Sequence, residues 1–174
     1  MNEILKKTKN IQLAVFDVDG VLTDGGLILG NNGEEHKIFH VHDGLGLVML
    51  RKSGMHVAVI SARSSRVVSE RMASLGIEYV QQGQDDKGEA LLSLTQKLKI
   101  DIADTLFAGD DLIDLPAMTR AGVSIAVADA HPLVKEHADW VTNRTGGHGA
   151  AREICELLLK ATGKLDQAFA DYLR

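Results

Sequence analysis

Asp17 and Asp19 stand two residues apart in Asp17-Val18-Asp19-Gly20, directly after the apolar run Gln12-Leu13-Ala14-Val15-Phe16. A carboxylate fixed at a strand end can attack phosphorus once a cation neutralises both it and a phosphate. Its neighbour can protonate the leaving oxygen, then deprotonate the water that cleaves the acyl phosphate. Like charge on neighbouring carboxylates favours the acid form, while a metal pulls the other way. Taken alone, Asp-x-Asp-Gly is also a turn, or the start of a calcium loop. A helix-flanked calcium loop needs a further ligand ladder closed by a glutamate, and neither follows.

Three more chemistry-bearing groups come later in the chain. Gly109-Asp110-Asp111-Leu112-Ile113-Asp114 is a second acidic cluster, whose oxygens suit a magnesium shell shared with Asp17. By itself it is equally a helix N-cap with acidic residues favouring the dipole. Ser61, in Val59-Ile60-Ser61-Ala62-Arg63, can donate to a phosphoryl oxygen, helped by amides opening the next helix. Lys87 opens a helix, where a lysine opposes the dipole. A buried position balancing the acidic cluster and a phosphate explains that placement better than surface solvation.

These residues need a frame that brings them together. The apolar runs before Asp17, Ser61 (His56 to Ile60), Asp110 (Thr105 to Ala108) and Asp129 (Val123 to Val127) read as strands. Helical patterns lie between them, at Leu45 to Ser53, Ser64 to Leu75 and Lys87 to Leu98. Short apolar strands alternating with helices predict an α/β fold, a Rossmann-like parallel sheet with helices on both faces. Ligands of such sheets bind at the carboxyl edge, where all these polar residues fall. Residues 25–41 break the alternation and read as a β-hairpin flap: Leu27-Ile28-Leu29, a turn at Gly30 to Gly33, then Glu35 to Val41. The expected organisation is one domain over 1–174, with no cap domain and a C-terminal tail at about 163–174.

Composition narrows the partners. A net charge of −5 with no basic block argues against nucleic acid. No long apolar stretch follows the N-terminal charges, so neither signal peptide nor membrane span is expected, and the cytoplasm is the expected address. Cys155 is the single cysteine, which excludes an intrachain disulfide, and its apolar helical setting marks a core residue.

In order and spacing, these motifs resemble the haloacid dehalogenase superfamily of aspartyl-phosphate enzymes. The resemblance implies Asp17 as nucleophile and Asp19 as general acid/base, with the Asp19 backbone carbonyl also on the metal. It implies Ser61 and Lys87 on the phosphoryl group, Asp110 as a Mg²⁺ ligand, and Asp111 or Asp114 supporting the shell. An aspartate at position 19 points to phosphatase or mutase chemistry. Further stretches are similar to the 3-deoxy-D-manno-octulosonate 8-phosphate phosphatases, a capless tetrameric family serving lipopolysaccharide synthesis. They are Asp17 to Gly25, Phe39 to Gly44, Gly83 to Lys87 and Gly146 to Glu153.

That likeness implies a small sugar-acid phosphate as substrate, held by Asp19, His40, Val41, His42, Asp43, Gly44, Ser61, Arg63, Arg71 and Lys87. Guanidinium groups suit a second anion, the sugar carboxylate. Arg71, eight residues beyond Arg63, is expected on roughly the same helix face. His42 stands where the family usually has arginine. A capless site also implies a homo-oligomer, with a neighbour's flap or tail excluding water.

Gly146-Gly147-His148-Gly149 precedes a helix and could cradle an anion, or simply form a capped loop. Within the superfamily the rival is a phosphatase of a nonulosonate 9-phosphate, or one of broad specificity. Arg63 argues against the former, which tends to carry glutamate there. From other classes come a zinc hydrolase built on His36, His40, His42 and Asp43, and a noncatalytic regulatory module.

Overall fold

In a computed structural model, which describes residues 2–170, 172 and 173, six parallel strands form the central sheet. They are β1 (Leu13–Phe16), β4 (His56–Ile60), β5 (Tyr79–Gln81), β6 (Thr105–Gly109), β7 (Val123–Ala126) and β8 (Trp140–Val141), in the order β5-β4-β1-β6-β7-β8. Every residue of β1 and β6 is buried, as expected of parallel strands covered on two faces. β1 pairs Leu13 with His56 on one side and with Thr105 on the other. The chain builds outward from β1 to β5, then returns to start β6 on the opposite flank of β1. That reversal opens a crevice at the carboxyl ends of β1 and β6.

Helices flank the sheet. α7 (Ala150–Ala161) packs against both α1 (Asn2–Lys7) and α2 (Val41–Lys52), and α4 (Lys87–Leu98) packs with α5 (Leu115–Met118). The remaining helices are α3 (Arg66–Ser74), α6 (Pro132–His137) and α8 (Leu165–Ala170). α7 puts Ile154, Cys155, Leu158 and Leu159 into the core, spaced as one face of a helix. Cys155 is fully buried, and burial pushes its thiol well above the usual range.

Several expected boundaries move. α2 starts at Val41, so His42, Asp43 and Gly44 lie in its first turn instead of a loop. Gly46 lies inside the helix, where α2 and α7 approach so closely that a Cβ would fall 2.9 Å from the Arg152 Cδ. α3 begins at Arg66, which leaves Arg63 in the preceding loop. The shared helix face expected for Arg63 and Arg71 therefore does not exist. In the flap only β2 (Ile28–Leu29) and β3 (Glu35–His36) pair, and residues 37–40 leave the ladder before α2 begins. Of the C-terminal tail, α8 forms, while residues 171 and 174 lie outside the described residues. Among the described residues no helix is long and apolar enough to cross a membrane.

Candidate active site

The end of β1 places Asp17 in the crevice, its amide donating to the Ala108 carbonyl of β6 at 3.0 Å. The chain then turns at Gly20, whose φ of +98° suits glycine. A Cβ there would meet the Asp110 carboxylate at 2.1 Å, so Gly20 also lets the two acidic loops close on each other. β6 ends in Asp110, and a 3₁₀ turn at Leu112–Asp114 follows. Asp111 caps that turn by accepting from the Leu112 amide, and Asp114 completes the reciprocal cap.

Oxygen atoms of Asp17, Asp110 and Asp114 lie within 4.8 Å of one another. Lys87, the first residue of α4, reaches this cluster with its side chain 1% exposed. Its Nζ lies 2.7 Å from Asp17 Oδ1 and donates to Asp114 Oδ1 at 2.6 Å. Burial lowers the lysine's proton affinity, but Asp17 and Asp114 outweigh it and hold Lys87 above the usual range.

One cation does not balance three carboxylates. Burial, then the Asp114 charge, pushes Asp17 up to about 7 against the opposing pull of Lys87. Burial, then Asp114, Asp17 and Asp111, pushes Asp110 up to about 8. Asp114 is already satisfied, since its second oxygen accepts from the amides of Asp110 and Asp111. Asp110 Oδ1, by contrast, is buried without any partner. Two raised, adjacent carboxylates with an orphaned oxygen and all-oxygen donors fit a small hard divalent cation.

Around this centre the other expected residues take different places. Ser61, 2% exposed at the end of β4, keeps its backbone on Gln81 and Gln84. Its hydroxyl accepts from the Arg63 amide at 3.3 Å. Arg63 is half exposed, with Nε 3.9 Å from Asp19 Oδ2. Arg71 lies apart, with its guanidinium 5.9 Å from the Phe39 ring. Asp43 is buried and turned away: its carboxylate accepts from the amides of Gly149 and Arg152 at the start of α7. The Gly146 to Gly149 loop therefore already holds an anion, supplied by the chain itself. Asp129, at the end of the fourth expected strand, accepts from the Gly146 amide.

His40 and His42 stack edge-on at 4.9 Å, with His148 6.5 Å from His40. They line a cleft of about 580 Å³ whose walls include neither Asp17, Asp19 nor Asp110. Among the described residues, the one group of His, Cys, Asp or Glu close enough to share a metal is the aspartate trio. A zinc site on His36, His40, His42 and Asp43 is not assembled.

A family model described as haloacid dehalogenase-like hydrolase matches residues 77–154. The 3-deoxy-D-manno-octulosonate 8-phosphate phosphatase of Escherichia coli K12 is 49% identical over 166 residues, covering 95% of this chain and 88% of that protein. The Yersinia pestis phosphatase of the same name is 44% identical, covering 96% and 89%. The chain belongs to the 3-deoxy-D-manno-octulosonate 8-phosphate phosphatases, within the haloacid dehalogenase-like hydrolases. Solved members of these phosphatases superpose closely. The Moraxella catarrhalis enzyme, crystallised with magnesium, phosphate and KDO, gives a TM-score of 0.97 at 46% identity, covering 99% of each chain. A cobalt-bound Haemophilus influenzae structure gives 0.90 at 43% identity, covering 94% of this chain and 99% of that one.

Sequence reasoning about this 3-deoxy-D-manno-octulosonate 8-phosphate phosphatase family member passed over Lys37 and Glu35. Lys37 follows β3 in the flap with its side chain enclosed, and its Nζ bonds Asp19 Oδ1. Glu35 accepts from Arg63 at 3.3 Å and lies 3.4 Å from Lys37. A signal was available: Glu35 and Lys37, two apart in an extended segment, share a face.

Proposed function

We propose that the chain hydrolyses 3-deoxy-D-manno-octulosonate 8-phosphate to the free sugar acid and phosphate, a step in making lipopolysaccharide precursor. The observation that carries this reading is Asp17 at the β1 end, raised to about 7 and flanked by Lys87 and Asp110. Asp17 Oδ attacks phosphorus, the phosphorus–sugar oxygen bond breaks, and Asp19 gives its proton to the departing oxygen. Water then attacks the aspartyl phosphate and passes a proton to Asp19, releasing phosphate and restoring Asp17. Ser61 and Lys87 hold phosphoryl oxygens while the bonds exchange.

Asp17, Asp110 and the Asp19 backbone carbonyl would hold Mg²⁺, with Asp114 and Asp111 fixing their loop. Bound there, the ion neutralises the phosphate and the attacking carboxylate so that two anions can meet. Arg63 at the mouth, with Arg71, His40, Val41, His42 and Gly44, supplies recognition of the sugar acid, while Asp43 fixes the start of α2 against α7. His42, exposed on α2, brings a smaller imidazole where arginine is usual. A cytoplasmic homotetramer suits this capless site, and the flap offers apolar surface for it: Ile28, Leu29, Ile38 and Val41 are exposed. A fully active monomer in sedimentation would remove that assembly.

The deciding experiment is phosphate release from a panel of sugar-acid phosphates, including a nonulosonate 9-phosphate, with Asp17→Asn as the blank. Preference for the eight-carbon sugar acid is expected. Equal rates across the panel would overturn the substrate and leave the phosphatase standing.

A further inference from the structure

The flap is poorly held by its own backbone. Its ladder is two residues per strand, Ile28 with His36 and Leu29 with Glu35, which is marginal in water. Within one subunit its apolar side chains do not anchor it either, since Ile28 and Leu29 are more than half exposed. What ties it to the catalytic edge is a closed ring of alternating charge. Lys37 bonds Asp19 Oδ1, Arg63 Nε lies 3.9 Å from Asp19 Oδ2, and both cations meet Glu35 Oε1, at 3.4 and 3.3 Å.

Within the ring, Lys37 is the enclosed member; its side chain has no exposure while that of Arg63 is 48% exposed. Enclosing an ammonium is costly unless carboxylates offset it, so the pairing with Asp19 is enforced, not incidental. Asp19 itself sits on an irregular turn, and among the described residues its carboxylate meets Lys37 and Arg63, both outside its own loop.

Building on the proposed phosphatase reading, we propose that Lys37 is a positioning residue for Asp19. Lys37 grips one carboxylate oxygen, Oδ1, and so leaves Oδ2, on the Arg63 side, as the oxygen that exchanges a proton with the leaving group. The flap thereby aims the general acid as well as covering the site. In the first half-reaction the Oδ2–H bond breaks, the proton joins the sugar oxygen, and phosphorus passes to Asp17. Lys37 enters none of these bonds.

Leaving-group dependence tests this directly. A sugar hydroxyl departs poorly without a proton, whereas p-nitrophenolate departs unprotonated, and kcat/KM reports the step in which it leaves. Lys37→Met is expected to lower kcat/KM for the sugar-acid phosphate by on the order of 10²-fold, the usual worth of a general acid. For p-nitrophenyl phosphate the loss should stay within about threefold, since that departure needs no acid. Lys37→Arg should recover much of the sugar-phosphate rate. The ratio of the two substrates is immune to partial misfolding, because both are turned over by the same folded fraction. Equal losses on both substrates would overturn the proposal and make Lys37 a phosphate attractor or a structural strut. No loss on either would overturn it as well. Failure of the parent reading looks different: wild-type turnover that survives Asp17→Asn, or none at all, and the role of Lys37 falls with it.

Discussion

Lys87 and Lys37 are both shut away from water, and each lies between two carboxylates, yet the chain holds them in opposite ways. Lys87 starts a three-turn helix and meets Asp17 and Asp114, whose side chains are 4% and 0% exposed. Both partners are fixed by the sheet and by backbone amides. Lys37 leaves a two-residue strand and meets Asp19 and Glu35, which keep 20% and 16% of their side-chain exposure. The first lysine belongs to the framework, the second to a lightly held cover. Phosphoryl chemistry needs atoms that do not move, while entry and release need a surface that does. The molecule gives each task its own lysine.

The sharpest way to break this contrast is Lys87→Met. Removing one partner of a buried ion cluster strands the others, at about 3–5 kcal/mol. Urea denaturation should register a loss of that size, with phosphate release falling to background. Lys37→Met should leave the urea midpoint much closer to wild type. Equal destabilisation by the two substitutions would erase the distinction.

Proton linkage sharpens the framework side. Asp17 and Asp110 are raised, so without metal the folded chain binds more protons than the unfolded chain between about pH 4 and pH 8. Stability in EDTA should therefore fall as pH rises through that window, then level off above about 8. Mg²⁺ takes over the neutralising task once the protons leave. Its addition should raise the melting temperature more at pH 8 than at pH 5.5. A metal-induced shift independent of pH would show that the two carboxylates ionise normally.

Between framework and flap stands Asp43, whose carboxylate accepts from Gly149 at 3.2 Å and Arg152 at 2.8 Å. It nails the first turn of α2 to the start of α7, so the flap hangs from a fixed base. Asp43→Ala should cost about 1–2 kcal/mol, as for the loss of a helix N-cap. If melting were unchanged while KM rose, the carboxylate would be facing substrate instead of α7.

The two lysines also mark how far the sequence could be read. Asp17, Ser61, Lys87 and Asp110 were legible because each follows or opens a regular element, and strand ends converge in any parallel sheet. Lys37 lies 18 residues from the carboxylate it holds, across the hairpin turn, so periodicity does not predict it. The same holds for Asp43, which pairs with amides 106 and 109 residues away. β5 and β8 escaped for another reason. They are edge strands of three and two half-buried residues, too short for an alternation to register. The start of α2 was hidden by Gly44 and Gly46, which look like loop residues until Arg71 and Leu75 are packed against the first and α7 against the second.

The smallest expected effect concerns Arg63, the solvent-facing corner of the flap ring. Its contacts to Glu35 at 3.3 Å and Asp19 at 3.9 Å are open to water and salt, so each carries well under about 1 kcal/mol. Arg63→Gln should leave the melting temperature nearly unchanged. It should instead speed hydrogen exchange in the flap, since the ladder has little else to hold it. Added salt should speed flap exchange in the wild type and shrink the difference between the two proteins, because screening weakens an exposed pair. Exchange around Lys87 should not respond, its partners being out of reach of counterions. If flap and framework answered salt alike, the ring would be acting as a buried cluster, and Lys37 would have to be regrouped with Lys87.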